Sequence, residues 1–216
     1  MNPSKPWTEW RVSGIFAAER GDLILEAAAH LTRAAGLDGV IYLHAKAAKR
    51  PSLFEPAFYL EEMSTNRSNK FLRVASIVTP RTLLIFDDVE TIRNYPQSMT
   101  RNIINHIAPL TRFKLVAGGA LVTNELADLY AQFAVLDKRV LHANHYWCFA
   151  EDHREVSVFG DGAIVGNKDV NYLAAKLLPF IHFDLEPEND VQAALYTAVR
   201  EAPYLGRVHD VEDLIL

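Results

Sequence analysis

The apolar run Leu83-Leu84-Ile85-Phe86 stops at two adjacent carboxylates, Asp87 and Asp88, and a third, Glu90, follows two residues on. Such a run predicts a buried parallel strand whose carboxyl end carries polar groups into a crevice, where open α/β sheets place their ligands. In a nucleotide hydrolase, a carboxylate in the first position holds magnesium and one in the second orients the attacking water. Asp87 and Asp88 are therefore the candidate metal residues. The same pattern also fits a core strand followed by a solvated acidic turn. A further possibility is a metal-dependent hydrolase built on Asp87, Asp88 and Glu90, although no phosphate clamp accompanies them.

Two other stretches bear on phosphate chemistry. Around Glu19-Arg20-Gly21-Asp22-Leu23-Ile24-Leu25, a short strand, a turn and a helix follow one another as in a phosphate-binding unit. The turn has one glycine and no Lys-Ser/Thr pair to meet phosphates and metal. Asp22 reads as the helix N-cap, and its carboxylate there would repel an anion from the positive helix terminus. The second stretch is the densest positive cluster, Lys46, Lys49 and Arg50. It follows a predicted strand and suits either contact with a nucleic-acid backbone or a solvated loop.

Composition restricts the classes open to the chain. Its 216 residues, half of them hydrophobic, suffice for one sizeable core. A net charge of −5 and a pI near 5.9 argue against a general polyanion-binding surface, so any nucleic-acid contact must come from a local patch. The single Cys148 excludes an internal disulfide and suits a reducing compartment. No apolar run reaches membrane-spanning length, and Met1-Asn2-Pro3-Ser4-Lys5-Pro6 lacks a signal-peptide core. A soluble cytoplasmic protein with no membrane partner is expected.

The remaining elements are read from periodicity. Gly14 to Ala18 is a short strand, and Leu23, Ile24, Ala27, Ala28 and Leu31 share a helical face that ends at Gly36. Gly39 to His44 is the next strand. Ser52-Leu53-Phe54-Glu55 fits a capping box opening a helix through about Met63, with Pro56 in its first turn. Ser64 to Lys70 reads as an exposed loop and Phe71 to Val78 as a strand. Met99, Ile103 and Ile107 form a helical stripe that Pro109 terminates, before a strand at Phe113 to Ala117 and a helix carrying Leu126, Leu129, Tyr130 and Phe133.

His142, His145, Cys148 and His153 have zinc-ligand side chains, but their spacing is not that of paired ligand knuckles; helix packing with exposed imidazoles accounts for them better. Val156 to Gly162 looks like a strand entering a turn, a small excursion from the main sheet. Asp169 caps a helix with Leu173, Ala174 and Leu177, Phe180 to Phe183 forms a last strand, and Val191 to Arg200 is helical. Strand and helix alternate, so the class is α/β with a mainly parallel sheet and helices on both faces.

In this order the features resemble the first RecA-like domain of superfamily two helicases of the Swi/Snf type, especially compact phage versions. The family's magnesium motif, Asp-Glu-Ala-His followed two residues later by Lys-Asn, is matched in register by Asp87-Asp88-Val89-Glu90 and Arg93-Asn94. Its coupling motif, Thr-Gly-Thr-Pro-x-x-Asn before a helix with Asp-Leu-Tyr, is matched by Gly118-Gly119-Ala120-Leu121-Val122-Thr123-Asn124 and Asp128-Leu129-Tyr130. The strand at Val40 to Leu43 and its basic loop look like the motif lining the nucleic-acid track. The resemblance implies a single RecA-like domain over residues 14–186, with an extension at 1–13 and a helical tail at 187–216.

The departures fall on the chemistry. Ile24 and Leu25 stand where the resemblance would put the phosphate-loop lysine and threonine, which removes a charge on the terminal phosphates and a metal ligand. Asp88 replaces the family's glutamate and is one methylene shorter. Gly118, Ala120 and Leu121 replace both threonines and the proline of the coupling motif. Too little chain is left for a second RecA-like domain, the source of the family's arginine finger. The resemblance thus implies a degenerate lobe with no ATP or magnesium cofactor, which binds DNA through Lys46, Lys49 and Arg50 or binds a protein partner. Alternatively, a second chain supplies the missing domain and completes a split ATPase.

Overall fold

Four of the apolar runs form the middle of one parallel sheet. In the computed structural model, which describes residues 15–18, 21–44, 57–62, 68–87, 92, 95, 98–118, 121–123, 125–160, 162–178, 180–182 and 186–201, the strands are β1 (Ile15–Ala18), β2 (Gly39–His44), β3 (Ala57–Glu62), β4 (Thr82–Asp87), β5 (Phe113–Ala117), β6 (Arg154–Val156), β7 (Ile164–Asn167) and β8 (Ile181–His182). Six of them make a sheet in the order β3-β2-β4-β5-β1-β8, with every pairing parallel. β6 and β7 pair antiparallel as a separate hairpin, a small excursion from the main sheet as expected, but the strand expected to begin at Val156 ends there, and residues 157–160 belong to the turn.

The helices are α1 (Gly21–Ala34), α2 (Ser68–Ile77), α3 (Ser98–Asn102), α4 (Asp128–Asp137), α5 (Tyr146–His153), α6 (Val170–Leu177) and α7 (Asp190–Glu201). α3 runs on through a π-helical turn at Ile103–Ile107 into a 3-10 turn at Ala108–Leu110 that contains Pro109. Strand side chains alternate between faces. On β4, Leu83 and Ile85 pack against Ala27, Ala28 and Leu31 of α1. Leu84 and Phe86 face the other way, into a larger cluster that takes Val74 of α2, Leu129 and Phe133 of α4, Leu177 of α6 and Leu195 of α7. Both faces of the sheet are covered, which is why its strands read as continuous apolar runs. This is a RecA-like α/β architecture. α7, though it follows residue 186, contributes Leu195, Tyr196, Ala198 and Val199 to the same cluster.

α1 closes where Gly36 predicts. Gly36 is left-handed, with φ 58°, and the Leu37 and Gly36 amides donate back to the Thr32 and Arg33 carbonyls at 3.0 and 3.4 Å. That pair of bonds satisfies the last carbonyls and needs the positive φ that glycine adopts without strain.

Two expected elements are exchanged. The helix expected from Ser52 to Met63 is instead, within its described part, the edge strand β3, held by parallel register pairs from Val40↔Ala57 to His44↔Glu62. Residues 51–56, including the Ser52–Glu55 box, lie outside the described residues. The strand expected at Phe71 to Val78 is α2, which also takes Ser68 to Lys70 out of the expected loop. Val74 is buried and Ile77 and Val78 are partly buried, whereas Leu72 and Arg73 are exposed. That is the i, i+3, i+4 face of a helix.

Candidate functional site

The strand registers align the carboxyl ends of all six strands on one rung. Across the sheet it reads Glu62, His44, Asp87, Ala117, Ala18 and His182. Asp87 is thus brought to the middle of the carboxyl edge, as its place at the end of an apolar run predicts. It has the parity of Leu83 and Ile85, which puts it on the α1 face. Tyr42, two residues before the end of β2, shares that face, and its hydroxyl donates a hydrogen bond to Asp87 Oδ2. Burial, and then the Asp87 carboxylate, push the Tyr42 phenol well above its usual pKa range. The hydroxyl therefore stays protonated and remains a donor at every physiological pH.

A hydrogen bond to a charged acceptor is worth more than a neutral one, ~1.5–3 kcal/mol. Tyr42→Phe is expected to lower stability by ~2 kcal/mol. A double-mutant cycle with Asp87→Asn, read by urea unfolding, should return a coupling energy of ~1 kcal/mol or more. Additive effects would show that the bond carries no weight.

The turn that would cradle a phosphate is short. β1 ends at Ala18 and α1 begins at Gly21, so Glu19 and Arg20 alone separate strand from helix. Gly21, Asp22, Ile24 and Leu25 all lie within α1. Asp22 is in the first turn of the helix and is not the residue preceding it, which corrects its expected place as N-cap. Leu25 packs, partly buried, against the α1-side core.

Of the residues after β5 that were matched to the family's coupling motif, Gly118 is partly exposed and Leu121 is fully buried. Three successive backbone carbonyls there accept side-chain amides: Leu121 from Gln132 Nε2 at 2.5 Å, Val122 from Gln192 Nε2 at 2.6 Å and Thr123 from Asn189 Nδ2 at 2.8 Å. The Thr123 amide and hydroxyl both donate to Asp128 Oδ2 at 2.8 Å. α4 and α7 thus hold the loop from two sides. Sequence reasoning missed Gln132, Gln192 and Asn189, although a lone glutamine within the apolar faces of both helices was a visible signal. Asp88, Glu90, Gly119, Ala120, Lys46, Lys49 and Arg50 lie outside the described residues. The basic segment follows β2, which ends on the carboxyl edge at His44, and precedes β3; residues 45–56 themselves lie outside the described residues.

The zinc-type side chains are not brought together. His142, His145 and Cys148 are exposed, whereas His153 is buried, its ring 4.5 Å from that of Phe149 and its Nδ1 3.2 Å from the Lys168 carbonyl oxygen. His153 thus departs from the expected exposed imidazoles. Among the described residues no group of three or more His, Cys, Asp or Glu is placed to hold a metal. Asp169 does occupy the residue before α6, with a left-handed backbone and no side-chain capping bond.

The sheet order and the covered faces define a RecA-like α/β fold, with Asp87 at the middle of its carboxyl edge. No family model matches the sequence, and no curated protein does. Among solved structures, the chain is similar to the Sulfolobus solfataricus SWI2/SNF2 ATPase core domain, at 13% identity and a TM-score of 0.52, over 88% of this chain and 43% of that one. The same organism's SWI2/SNF2 ATPase core in complex with dsDNA aligns at 15% identity and a TM-score of 0.44, over 84% of this chain and 36% of that one. The likeness is one of fold, and the chain spans less than half the length of either structure. Among the described residues, no helix is long and apolar enough to cross a membrane.

Proposed function

We propose that this chain is a catalytically silent helicase-like lobe, which acts by binding nucleic acid and uses neither ATP nor magnesium. The observation that carries this reading is the β1–α1 connection. A phosphate-binding loop runs through several residues between its glycines before presenting lysine and threonine at the helix start. Here two residues intervene, and the stretch aligned with those ligands, Ile24 and Leu25, lies inside the helix with Leu25 packed on the core. The Tyr42 hydroxyl on Asp87 gives further support, because it engages an oxygen that a magnesium ion would use.

Calorimetry with ATP and magnesium is the direct test. No saturable heat below millimolar nucleotide and no phosphate release are expected; micromolar binding with turnover would refute the proposal.

The nucleic-acid part of the reading rests on Lys46, Lys49 and Arg50, which follow β2, a strand that ends on the carboxyl edge at His44. Replacing all three with alanine should weaken binding to a labelled duplex about equally for unrelated sequences. The slope of log affinity against log salt should become shallower by about 2.7, the value for three released phosphate contacts on a duplex. An unchanged slope in fluorescence anisotropy would remove this cluster from the interface.

A further inference from the structure

The apolar side chains left in solvent are concentrated on the β6–β7 hairpin. Of nine large hydrophobic residues exposed among those described, five lie on it: Val156, Val158, Phe159, Ile164 and Val165. Val158 and Phe159, in the turn, are 92% and 90% exposed. Val156 and Ile164 are cross-strand partners and both remain about half exposed. A two-stranded ribbon is marginally stable in water by itself, and an exposed apolar strand edge invites pairing with another chain.

This ribbon is nevertheless fixed at its base. Arg154 forms a two-pronged ion pair with Glu125, Nε to Oε2 at 2.6 Å and Nη2 to Oε1 at 2.5 Å, and Nη2 also donates to the Tyr146 hydroxyl at 3.0 Å. Its cross-strand partner Asn167 accepts the Leu126 amide at 3.2 Å. The base is therefore preorganised while the tip is bare.

Charge selects what can cover it. Glu151 and Asp152 are exposed just before β6, Glu155 is exposed within it, and Asp169 is exposed just after β7. The cations in this stretch are the exposed Lys168 and Arg154, the latter paired with Glu125. A polyanion would be repelled here, and a second copy placed by a two-fold axis would set one acidic rim against another.

We propose that the β6–β7 hairpin docks an extended segment of a partner protein in which basic residues alternate with apolar ones. The segment adds to an open strand edge beside Val158 and Phe159, and its cations meet Glu151, Asp152, Glu155 and Asp169. Backbone pairing supplies affinity and alternate side chains supply selectivity, as in other strand additions. The inference stands apart from the ATP reading, because the hairpin shares no residue with Asp87 or the β1–α1 turn.

The test uses the full chain and two labelled synthetic decapeptides, one alternating lysine with valine and one alternating glutamate with valine. The lysine peptide should bind with a Kd in the micromolar range and slow amide exchange in β6 or β7. Phe159→Ser, which removes the apolar contact without adding charge, should weaken that binding at least tenfold, with an unchanged urea midpoint because the side chain is exposed. The glutamate peptide should not bind. Three outcomes overturn the proposal: equal affinity for both peptides, lysine-peptide binding unaffected by Phe159→Ser, or no binding at all. So would labelled single-stranded DNA, or a concentration-dependent dimer in sedimentation, that depends on Phe159 when the lysine peptide does not.

Discussion

Replacing Lys114 with methionine should raise stability at pH 7 by ~2 kcal/mol, and the gain should vanish as the pH passes 10. Lys114 lies in β5, is 8% exposed, and shares with Val116 the face of the strand turned toward the larger core. Its ammonium donates to the Ala108 carbonyl oxygen at 3.1 Å. That carbonyl is in the 3-10 turn where the α3 helical stretch ends, so it belongs to a helix C-terminus, which favours a cation.

These partners do not offset the loss of water. Burial, opposed by the nearby Asp137 and assisted by Arg139, lowers the Lys114 pKa from 10.5 to about 8. Asp137 loses solvation too, but its bonds to Arg139 outweigh this and leave its carboxyl below the usual range, so it is ionised beside the lysine. Below pH 8, Lys114 is protonated in both folded and unfolded chains, and the fold carries the full cost of ~3 kcal/mol. Between pH 8 and 10.5 the unfolded chain binds more protons, so the stability of the native sequence rises with pH. Above 10.5 both states are neutral and the cost is gone.

Methionine keeps the length and removes the charge, leaving the Ala108 carbonyl without its donor at a cost of ~1 kcal/mol. Urea unfolding of both proteins at pH 7, 9 and 10.5 measures the difference directly. A difference independent of pH would mean that Lys114 is not protonated in a desolvated site.

The central strands were legible because a sheet covered on both faces leaves a simple trace: Gly39 to His44, Leu83 to Phe86 and Phe113 to Ala117 are nearly unbroken apolar runs. Asp87 was legible for the same reason, as the polar residue that ends such a run. Its partner was not, since Tyr42 and Asp87 are 45 positions apart and meet only through the β2–β4 register. The exchanged elements failed where composition and period disagree. Phe71 to Ile77 is rich in strand-forming residues, yet the positions it buries follow a helical face. At Ala57 to Glu62 a local capping signal competed with a pairing partner 17 or 18 residues away, Ala57 against Val40 and Glu62 against His44, and the pairing prevailed.

The hydrogen-bonded clamp on residues 121–123 calls for the second large effect: Gln192→Met is expected to destabilise the fold by ~3 kcal/mol. Gln192, 1% exposed, spans two segments. Its Nε2 donates to the Val122 carbonyl at 2.6 Å, and its Oε1 accepts the Glu188 amide at 2.7 Å. Methionine fills nearly the same volume and removes both bonds, so packing is preserved and hydrogen bonding is isolated. The exposed turn at Glu188 can turn to water. The Val122 carbonyl, under a buried residue, cannot, and an unsatisfied buried acceptor costs ~1–3 kcal/mol in addition to the bond lost at Glu188.

Gln132 marks the contrast. Its Nε2 is used twice, to the Leu121 and Asp128 carbonyls, whereas its buried Oε1 has no partner. Gln132→Met is therefore expected to cost less than Gln192→Met, since it removes an orphaned oxygen together with the two donated bonds. Chemical denaturation of the two variants ranks them. A loop held mainly by apolar packing of Leu121 would make both changes nearly neutral, and α7 would then be an ordinary packed helix with no hydrogen-bonded clamp on the residues that follow β5.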